Sequence, residues 1–307
     1  MVRGLFVEPF YGGSHRAFLD GLVVHGGHEL QVLTLPEGEW RRRMRRGAQE
    51  LAARAGEAGE AGGTFDYLIV SDMLDLPVFL ALTRPRFERM PVMAYFHENQ
   101  FTYPRIRGTK FNSWFGQVNY LTALAADVVA FNSAFHRDDF LGALRTLAGQ
   151  PNNWLVAEAI EEIQRKSTVL PVGVELGWIA ELGGERHESQ PRTILWNHRW
   201  EFDKGPEMFA RVICELASEG VPFRVNIAGE PGENPCEAMW RAREVLGERV
   251  LHFGFAESRK EYGQLLWTSD IAISTTRHEF FGVGMVEAMA AGCIPLAPSG
   301  YNYAALV

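Results

Sequence analysis

Short apolar runs alternate with longer stretches of helical spacing along most of the chain. In the first half, residues 4–8, 29–35, 67–71, 92–96, 128–132 and 167–170 read as strands, and residues 14–25 and 111–126 carry helical spacing between them. The pattern then restarts. Residues 193–197, 223–228, 250–253, 271–275 and 294–297 read as strands, and 206–219, 236–246, 259–268 and 282–291 as helices. Apolar strands separated by amphipathic helices are the mark of an α/β protein, a parallel sheet covered by helices. The Pro171-Val172-Gly173-Val174 turn and the polar segment 183–192 lie between the two series, so we expect domains at 1–171 and 172–307. Two such sheets facing each other make a cleft at the carboxyl ends of their strands, where ligands bind. Residues 54–64 repeat a Gly-Glu-Ala triplet and are expected to form a flexible loop.

Composition narrows the class. The chain has 307 residues, 47% of them hydrophobic and 22% charged, which is ordinary for a globular protein and fits two domains. No window approaches the ~18 uninterrupted apolar residues of a membrane span, so no membrane partner is expected. The first residues run straight into a strand pattern with no signal-peptide stretch, and three widely spaced cysteines lack metal-ligand spacing. A reducing cytoplasm is the expected compartment. A net charge of −8 argues against nucleic acid until its distribution is read. Residues 1–171 hold 18 basic and 19 acidic side chains, whereas residues 172–307 hold 12 and 19. The acidity belongs to the second half.

Four segments hold candidate chemistry. In His278-Glu279-Phe280-Phe281-Gly282-Val283-Gly284-Met285-Val286-Glu287, a strand ends, a loop presents Glu279, and a helix begins near Gly282. Amides at that helix start suit a diphosphate, and Glu287 lies about two helical turns beyond Glu279. By spacing alone, Glu287 is equally readable as a surface acid and the glycines as packing. In Trp196-Asn197-His198-Arg199-Trp200-Glu201-Phe202-Asp203-Lys204-Gly205-Pro206-Glu207, Arg199 and Lys204 sit on a strand-to-helix loop, where two cations can neutralise a departing pyrophosphate. The alternative is a solvated loop in which Glu201, Asp203 and Glu207 pair with them. Gly12-Gly13-Ser14-His15 follows the first strand and allows close approach to a ligand, although it is not the Gly-x-Gly-x-x-Gly fingerprint, and Ser14 reads equally as a helix N-cap. Trp40-Arg41-Arg42-Arg43-Met44-Arg45-Arg46 is a dense positive patch suited to RNA, with Arg105, Arg107 and Lys110 as an extension. The alternative is a solvated helix face.

Glu279-x7-Glu287, the Arg199/Lys204 loop and Leu170-Pro171-Val172-Gly173-Val174-Glu175 resemble the retaining nucleotide-sugar glycosyltransferases of the GT-B fold. Longer strings are more specific. Phe6-Val7-Glu8-Pro9-Phe10-Tyr11-Gly12-Gly13-Ser14-His15, Phe96-His97-Glu98-Asn99-Gln100-Phe101-Thr102-Tyr103-Pro104 and Asn197-His198-Arg199-Trp200-Glu201-Phe202-Asp203-Lys204 closely resemble the tRNA-queuosine mannosyltransferases. The likeness covers almost the whole chain. It implies a GT-B architecture of two Rossmann-like domains and transfer of mannose from GDP-mannose to the cyclopentenediol of queuosine in tRNA. The anomeric configuration is retained, by front-face displacement.

Carried over by position, Glu279 holds sugar hydroxyls and the amides of Phe280, Phe281 and Gly282, with Val283 beside them, approach the sugar and diphosphate. Glu287 accepts from the ribose diol, and Arg199 and Lys204 bind the diphosphate. His97 sits over the donor sugar; its bland alternative is a structural histidine. Gly12, Gly13, Asn197 and Glu230 complete the donor set. Ser14, His15, Glu98, Asn99, Arg41, Arg42, Arg43, Arg45 and Arg46 fall on the acceptor and tRNA side. No metal is expected, because the two cations and the helix end neutralise the diphosphate and no Asp-x-Asp occurs. Two alternatives share the fold: a transferase acting on a lipid, glycan or small molecule, and an inactive nucleotide- or tRNA-binding homologue. The chain stops soon after a glycine-rich turn, whereas GT-B proteins usually continue through further helices, which leaves open a naturally short or a truncated second domain. The residues carry no signal of oligomeric state.

Overall fold

The structure, a computed structural model, describes residues 2–62, 64–87, 89–104, 113–151, 153–183, 190–232 and 236–307. Arg105, Arg107 and Lys110, the expected extension of the basic patch, lie outside the described residues. The chain divides into two compact units that part between Gly173 and Val174, two residues beyond the expected boundary.

The first unit alternates strand and helix: β1 (Arg3–Tyr11), α1 (Gly13–His25), β2 (Glu29–Pro36), α2 (Trp40–Gly62), β3 (Tyr67–Ser71), α3 (Leu76–Leu82), β4 (Val92–Phe96), α4 (Ser113–Ala125), β5 (Val128–Phe131), α5 (Ala134–Ala148), α6 (Ala157–Arg165) and β6 (Ser167–Val169). Its six strands pair in parallel in the order β2-β1-β3-β4-β5-β6. Alternate residues of each strand go to opposite faces, as the period of two requires. Leu5, Val7, Leu68, Val70, Ala94, Phe96, Val129 and Phe131 join one buried cluster. Phe6, Ile69, Tyr95 and Ala130 join another, against Phe18 and Leu19 of α1.

The second unit comprises α7 (Gly177–Leu182), β7 (Arg192–Asn197), α8 (Pro206–Ser218), β8 (Phe223–Ala228), α9 (Glu237–Leu246), β9 (Val250–Gly254), α10 (Arg259–Trp267), β10 (Ile271–Ile273), α11 (Val283–Ala290), β11 (Ile294–Leu296) and α12 (Tyr303–Leu306). Five parallel strands run in the order β11-β10-β7-β8-β9. Ile194 and Trp196 of β7 pack with Phe209 and Ile213 of α8 and with Met239 of α9. Leu195, facing the other way, packs with Ile179 of α7, Leu266 of α10, and Met285 and Ala288 of α11. No helix among the described residues is long and apolar enough to cross a membrane.

Two expectations need correction. Most of the segment 54–64 is the last part of the 23-residue helix α2 rather than a flexible loop. Its alanines, glutamates and arginine are strong helix formers, and the turns already formed upstream spare it the cost of nucleation. Ser14 is not the N-cap of α1: Gly12 occupies that position in an extended conformation, and Ser14 stands exposed inside the first turn.

In each sheet the strand order reverses beside the first strand. β1 lies between β2 and β3, and β7 between β8 and β10. Crevices form at the carboxyl ends of strands at such reversals. The residues singled out from sequence gather near these two places.

Candidate active site

In the second unit the reversal lies between β7 and β10. The loop leaving β7 is clamped to the loop leaving β10. Thr275 Oγ1 accepts from Trp196 Nε1 at 3.1 Å and lies 3.0 Å from the Lys204 carbonyl. Asp203 O accepts from Thr276 Oγ1 at 3.0 Å and from Arg277 N at 2.7 Å. Gly205 turns the chain into Pro206 with φ +65°, and a Cβ there would stand 2.2 Å from the Thr275 carbonyl oxygen. Only glycine meets both conditions.

The clamp fixes Lys204. Its Nζ lies 3.1 Å from Glu279 Oε2 and 3.2 Å from Asp203 Oδ2, with about 15% of its side chain exposed. Burial disfavours the ammonium, but Glu279 and Asp203 more than offset it and hold the lysine above its ordinary pKa. His198, beside it, is buried and kept neutral, its pKa pushed down to about 3 by burial and by the Lys204 charge. Glu279 in turn accepts from the Phe281 amide through Oε1 at 3.4 Å. Gly282, at φ +100°, is the N-cap of α11, so the helix begins one residue later than expected and aims its first amides into this region. Asn302 braces the loop from behind: its Nδ2 donates to Phe281 O at 2.7 Å, and its amide to Glu279 O at 3.3 Å.

The two cations of the β7–α8 loop differ. Arg199 is exposed and pairs with Glu201 at 3.0 Å, the local pairing that sequence left open. Lys204 pairs with Asp203 in the same way but also with Glu279, and Glu207 pairs with Arg277 instead, at 3.5 Å. Glu287 is no surface acid. Its Oε2 accepts from Tyr262 OH of α10 at 2.8 Å, and that hydroxyl accepts from Asn197 Nδ2 at 3.0 Å. The side chain of Glu230 is exposed after β8, and its carbonyl accepts from the Trp200 amide at 3.0 Å.

A second cluster lies at the β1/β3 reversal of the first unit. Glu8 is fully buried; Oε1 accepts from Phe10 N at 2.8 Å and Ser71 Oγ at 3.0 Å, while Oε2 faces His15 Nδ1 at 3.1 Å. The His15 ring lies 4.0 Å from that of His97, centroid to centroid. His97 ends up over the β4 carboxyl end, its amide donating to Asp72 Oδ1 at 2.8 Å and its carbonyl accepting from Asn132 Nδ2 at 2.9 Å. Burial opposes charge on His15, yet Glu8, Asp72 and Glu98 push its pKa up to about 9. Burial, with the His15 and His136 rings adding to it, holds His97 well below the usual value. Asp72 is pushed up to about 8, chiefly by burial. One histidine is thus charged and its neighbour neutral.

Glu8, His15 and His97 offer ligand atoms within 4.8 Å of one another. Both oxygens of Glu8 already accept hydrogen bonds, and His15 is its cationic partner, so the group's chemistry is that of a buried ion pair beside a neutral imidazole. Asn99 is fully buried, and its Oδ1 accepts from Phe101 N, Thr102 N and Thr102 Oγ1, each at 3.1 Å, which closes the turn after β4. Glu98 accepts from Gln100 Nε2 at 2.8 Å. Gly12 backs onto Glu37, and Gly13 takes φ +50° at the start of α1.

The arginine patch occupies the first turns of α2. Arg41, Arg42, Arg45 and Arg46 are exposed, and Arg43 is half-buried with Glu50 3.6 Å away. Trp40 packs on Phe115, 5.0 Å between centroids, and carries the Arg41 guanidinium 4.6 Å above its ring. Sequence reasoning missed Tyr262, Asn302 and Asp72. The first two act through partners on other elements, and Asp72 reads locally as one more polar residue after a strand.

Comparison with known proteins identifies the family and the fold. Residues 3–174 match the family described as tRNA-queuosine alpha-mannosyltransferase N-terminal, and residues 182–307 match glycosyl transferases group 1. A tRNA-queuosine alpha-mannosyltransferase of Drosophila melanogaster is 35% identical over 97% of this chain and 80% of its own length. A GDP-mannose-dependent alpha-(1-6)-phosphatidylinositol dimannoside mannosyltransferase of Mycobacterium tuberculosis is 26% identical over 62% of this chain and 44% of its own. Among solved structures, a sucrose-phosphate synthase from Thermosynechococcus elongatus superposes with a TM-score of 0.67 at 14% identity, covering 98% of this chain and 82% of that one. A trehalose-phosphate synthase from Burkholderia xenovorans gives 0.67 at 13%, covering 99% and 87%. At such identities the likeness speaks for the fold. The chain belongs to the tRNA-queuosine alpha-mannosyltransferase family and is a glycosyltransferase of the GT-B fold.

Proposed function

We propose that this enzyme transfers mannose from GDP-mannose to the cyclopentenediol of queuosine in tRNA, with retention at the anomeric carbon, in the cytoplasm. The observation that supports it most directly is Lys204, a buried cation held between Glu279 and Asp203 at the mouth of α11. An incoming diphosphate takes the ammonium, the Arg199 fork and the helix amides, and Glu279, relieved of its partner, turns to the sugar hydroxyls. Charge developing on the leaving phosphate meets donors already in place, the usual source of the largest catalytic effect. These groups supply the neutralisation that a metal supplies in other transferases, so we propose that none is required. His97, neutral, serves the donor sugar. The exposed arginines of α2 serve tRNA phosphates.

The test is to incubate the folded protein with GDP-mannose and queuosine-containing tRNA, with a chelator present, and to weigh the modified nucleoside. The expected result is a gain of one hexose, absent with queuosine-free tRNA. No gain from protein that binds GDP overturns the acceptor, and a preference for UDP-sugars overturns the donor.

A further inference from the structure

The position of Glu287 is set by a chain of hydrogen bonds whose direction can be worked out without ambiguity. It starts at a carbonyl. Gly284 O, in the first turn of α11, lies 2.9 Å from the Asn197 side chain, and a carbonyl only accepts, so the atom facing it is the amide nitrogen. The same nitrogen lies 3.0 Å from Tyr262 OH. An amide nitrogen only donates, so the Tyr262 oxygen is the acceptor of that bond. Its one proton is then left for Glu287 Oε2, 2.8 Å away. Asn197 closes β7, Tyr262 is on α10, and Glu287 is on α11, so three elements define the carboxylate's place.

The polarity has a consequence for the ligand. Glu287 accepts a hydrogen bond at Oε2, which supports the ionised carboxylate and leaves Oε1 as an acceptor. A ligand group bound there must be a donor, and a vicinal diol is such a group. We infer that Tyr262 is a positioning residue that holds Glu287 as a one-sided acceptor for the ribose hydroxyls of the nucleotide, with Asn197 acting behind it rather than on the donor. This rests on the nucleotide-sugar reading above. Trp178 stacks 6.1 Å from the Tyr262 ring and keeps the phenol from swinging away.

The experiment is calorimetric binding of GDP and of 2′,3′-dideoxy-GDP to the full chain. Tyr262→Phe removes one oxygen and keeps the ring. GDP should bind about five- to tenfold more weakly to it, as expected when one hydrogen bond of ordinary net strength is lost behind the group that touches the ligand. The dideoxy nucleotide should bind the variant and the parent alike. With saturating donor, kcat should stay unchanged while KM for the donor rises. Asn197→Ser, which withdraws the donor behind Tyr262, should give the same ribose-dependent loss and guards against a folding defect peculiar to the first variant. Equal GDP affinity in Tyr262→Phe and parent overturns the inference, as does a loss that persists with the dideoxy nucleotide. A parent that binds no GDP at all overturns the nucleotide reading along with it, so the two failures are told apart.

Discussion

Lys204 and Glu279 are each visible in the sequence as a charged residue in a suggestive loop, but their partnership spans 75 positions and arises only when β7 and β10 lie side by side. Removing one member of such a pair costs more than the pair contributes, because the remaining charges stay buried. Lys204→Met leaves Glu279 and Asp203 facing each other. It should destabilise the protein by about 3–5 kcal/mol in urea unfolding and abolish detectable GDP binding; the Asp203→Asn/Lys204→Met/Glu279→Gln triple variant, which leaves no unpaired charge behind, should recover much of the stability and none of the binding.

The first-unit cluster makes a different prediction at the same scale. His15 has a folded pKa of about 9 against an ordinary value of 6.5, so the stability it contributes is complete below pH 6.5 and lost as pH rises through 9. Asp72, raised from 3.8 to about 8, has the same sign, since the unfolded chain releases that proton first. Stability should therefore fall as pH climbs from 6.5 to 9, with a limiting slope of ~1.4 kcal/mol per pH unit for each proton involved. His97, whose pKa is lowered, has the opposite sign and acts below that window. Urea midpoints across pH 6.5–9 check this, and His15→Gln/Asp72→Asn should be markedly flatter.

At the scale of elements, legibility follows periodicity. The strands of both sheets stand where the apolar runs put them, and most plainly the central ones, because a strand buried on both faces, as β3 and β8 nearly are, writes itself as an unbroken run. Helix α2 is harder. Glycines at short intervals read locally as a loop, yet Met44, Ala48, Leu51, Ala52 and Ala55 repeat at helical spacing and are buried. The same helix shows why a charge run is not evidence by itself. Arg43 is spent on Glu50, while Arg41, Arg42, Arg45 and Arg46 are exposed, Arg41 and Arg45 lying over the Trp40 and Phe115 rings. Replacing those four by glutamine should leave the melting temperature nearly unchanged, weaken tRNA binding, and reduce the slope of log affinity against log salt by roughly 0.7–0.9 for each phosphate no longer neutralised. GDP affinity should not move. An equal salt slope in variant and parent, measured by filter binding, would place the RNA surface elsewhere.

At the scale of the molecule, each unit has its own sheet and its own buried clusters. A ligand that binds only the folded form raises the unfolding temperature of the unit it binds. Differential scanning calorimetry should therefore show GDP shifting the transition of the second unit while the first stays in place; a common shift would mean that the two unfold as one. The matched families divide the chain in the same sense, one matching residues 3–174 and the other residues 182–307.

That division invites exchange of halves between transferases, and α7 determines where the cut has to fall. A graft that begins at residue 182, where the second family starts to match, would leave α7 behind with the wrong partner. Ile179, 1% exposed, would be taken out of the cluster it shares with Leu195, Leu266 and Met285, and Trp267 Nε1 would lose the Ile179 carbonyl 2.7 Å away. The incoming sheet would have a gap beside α10 and α11 in the cover of one face before any question of substrate arose. A splice between Gly173 and Val174 carries the helix along with its socket, so the seam for recombination is set by packing and lies several residues upstream of the point that homology suggests.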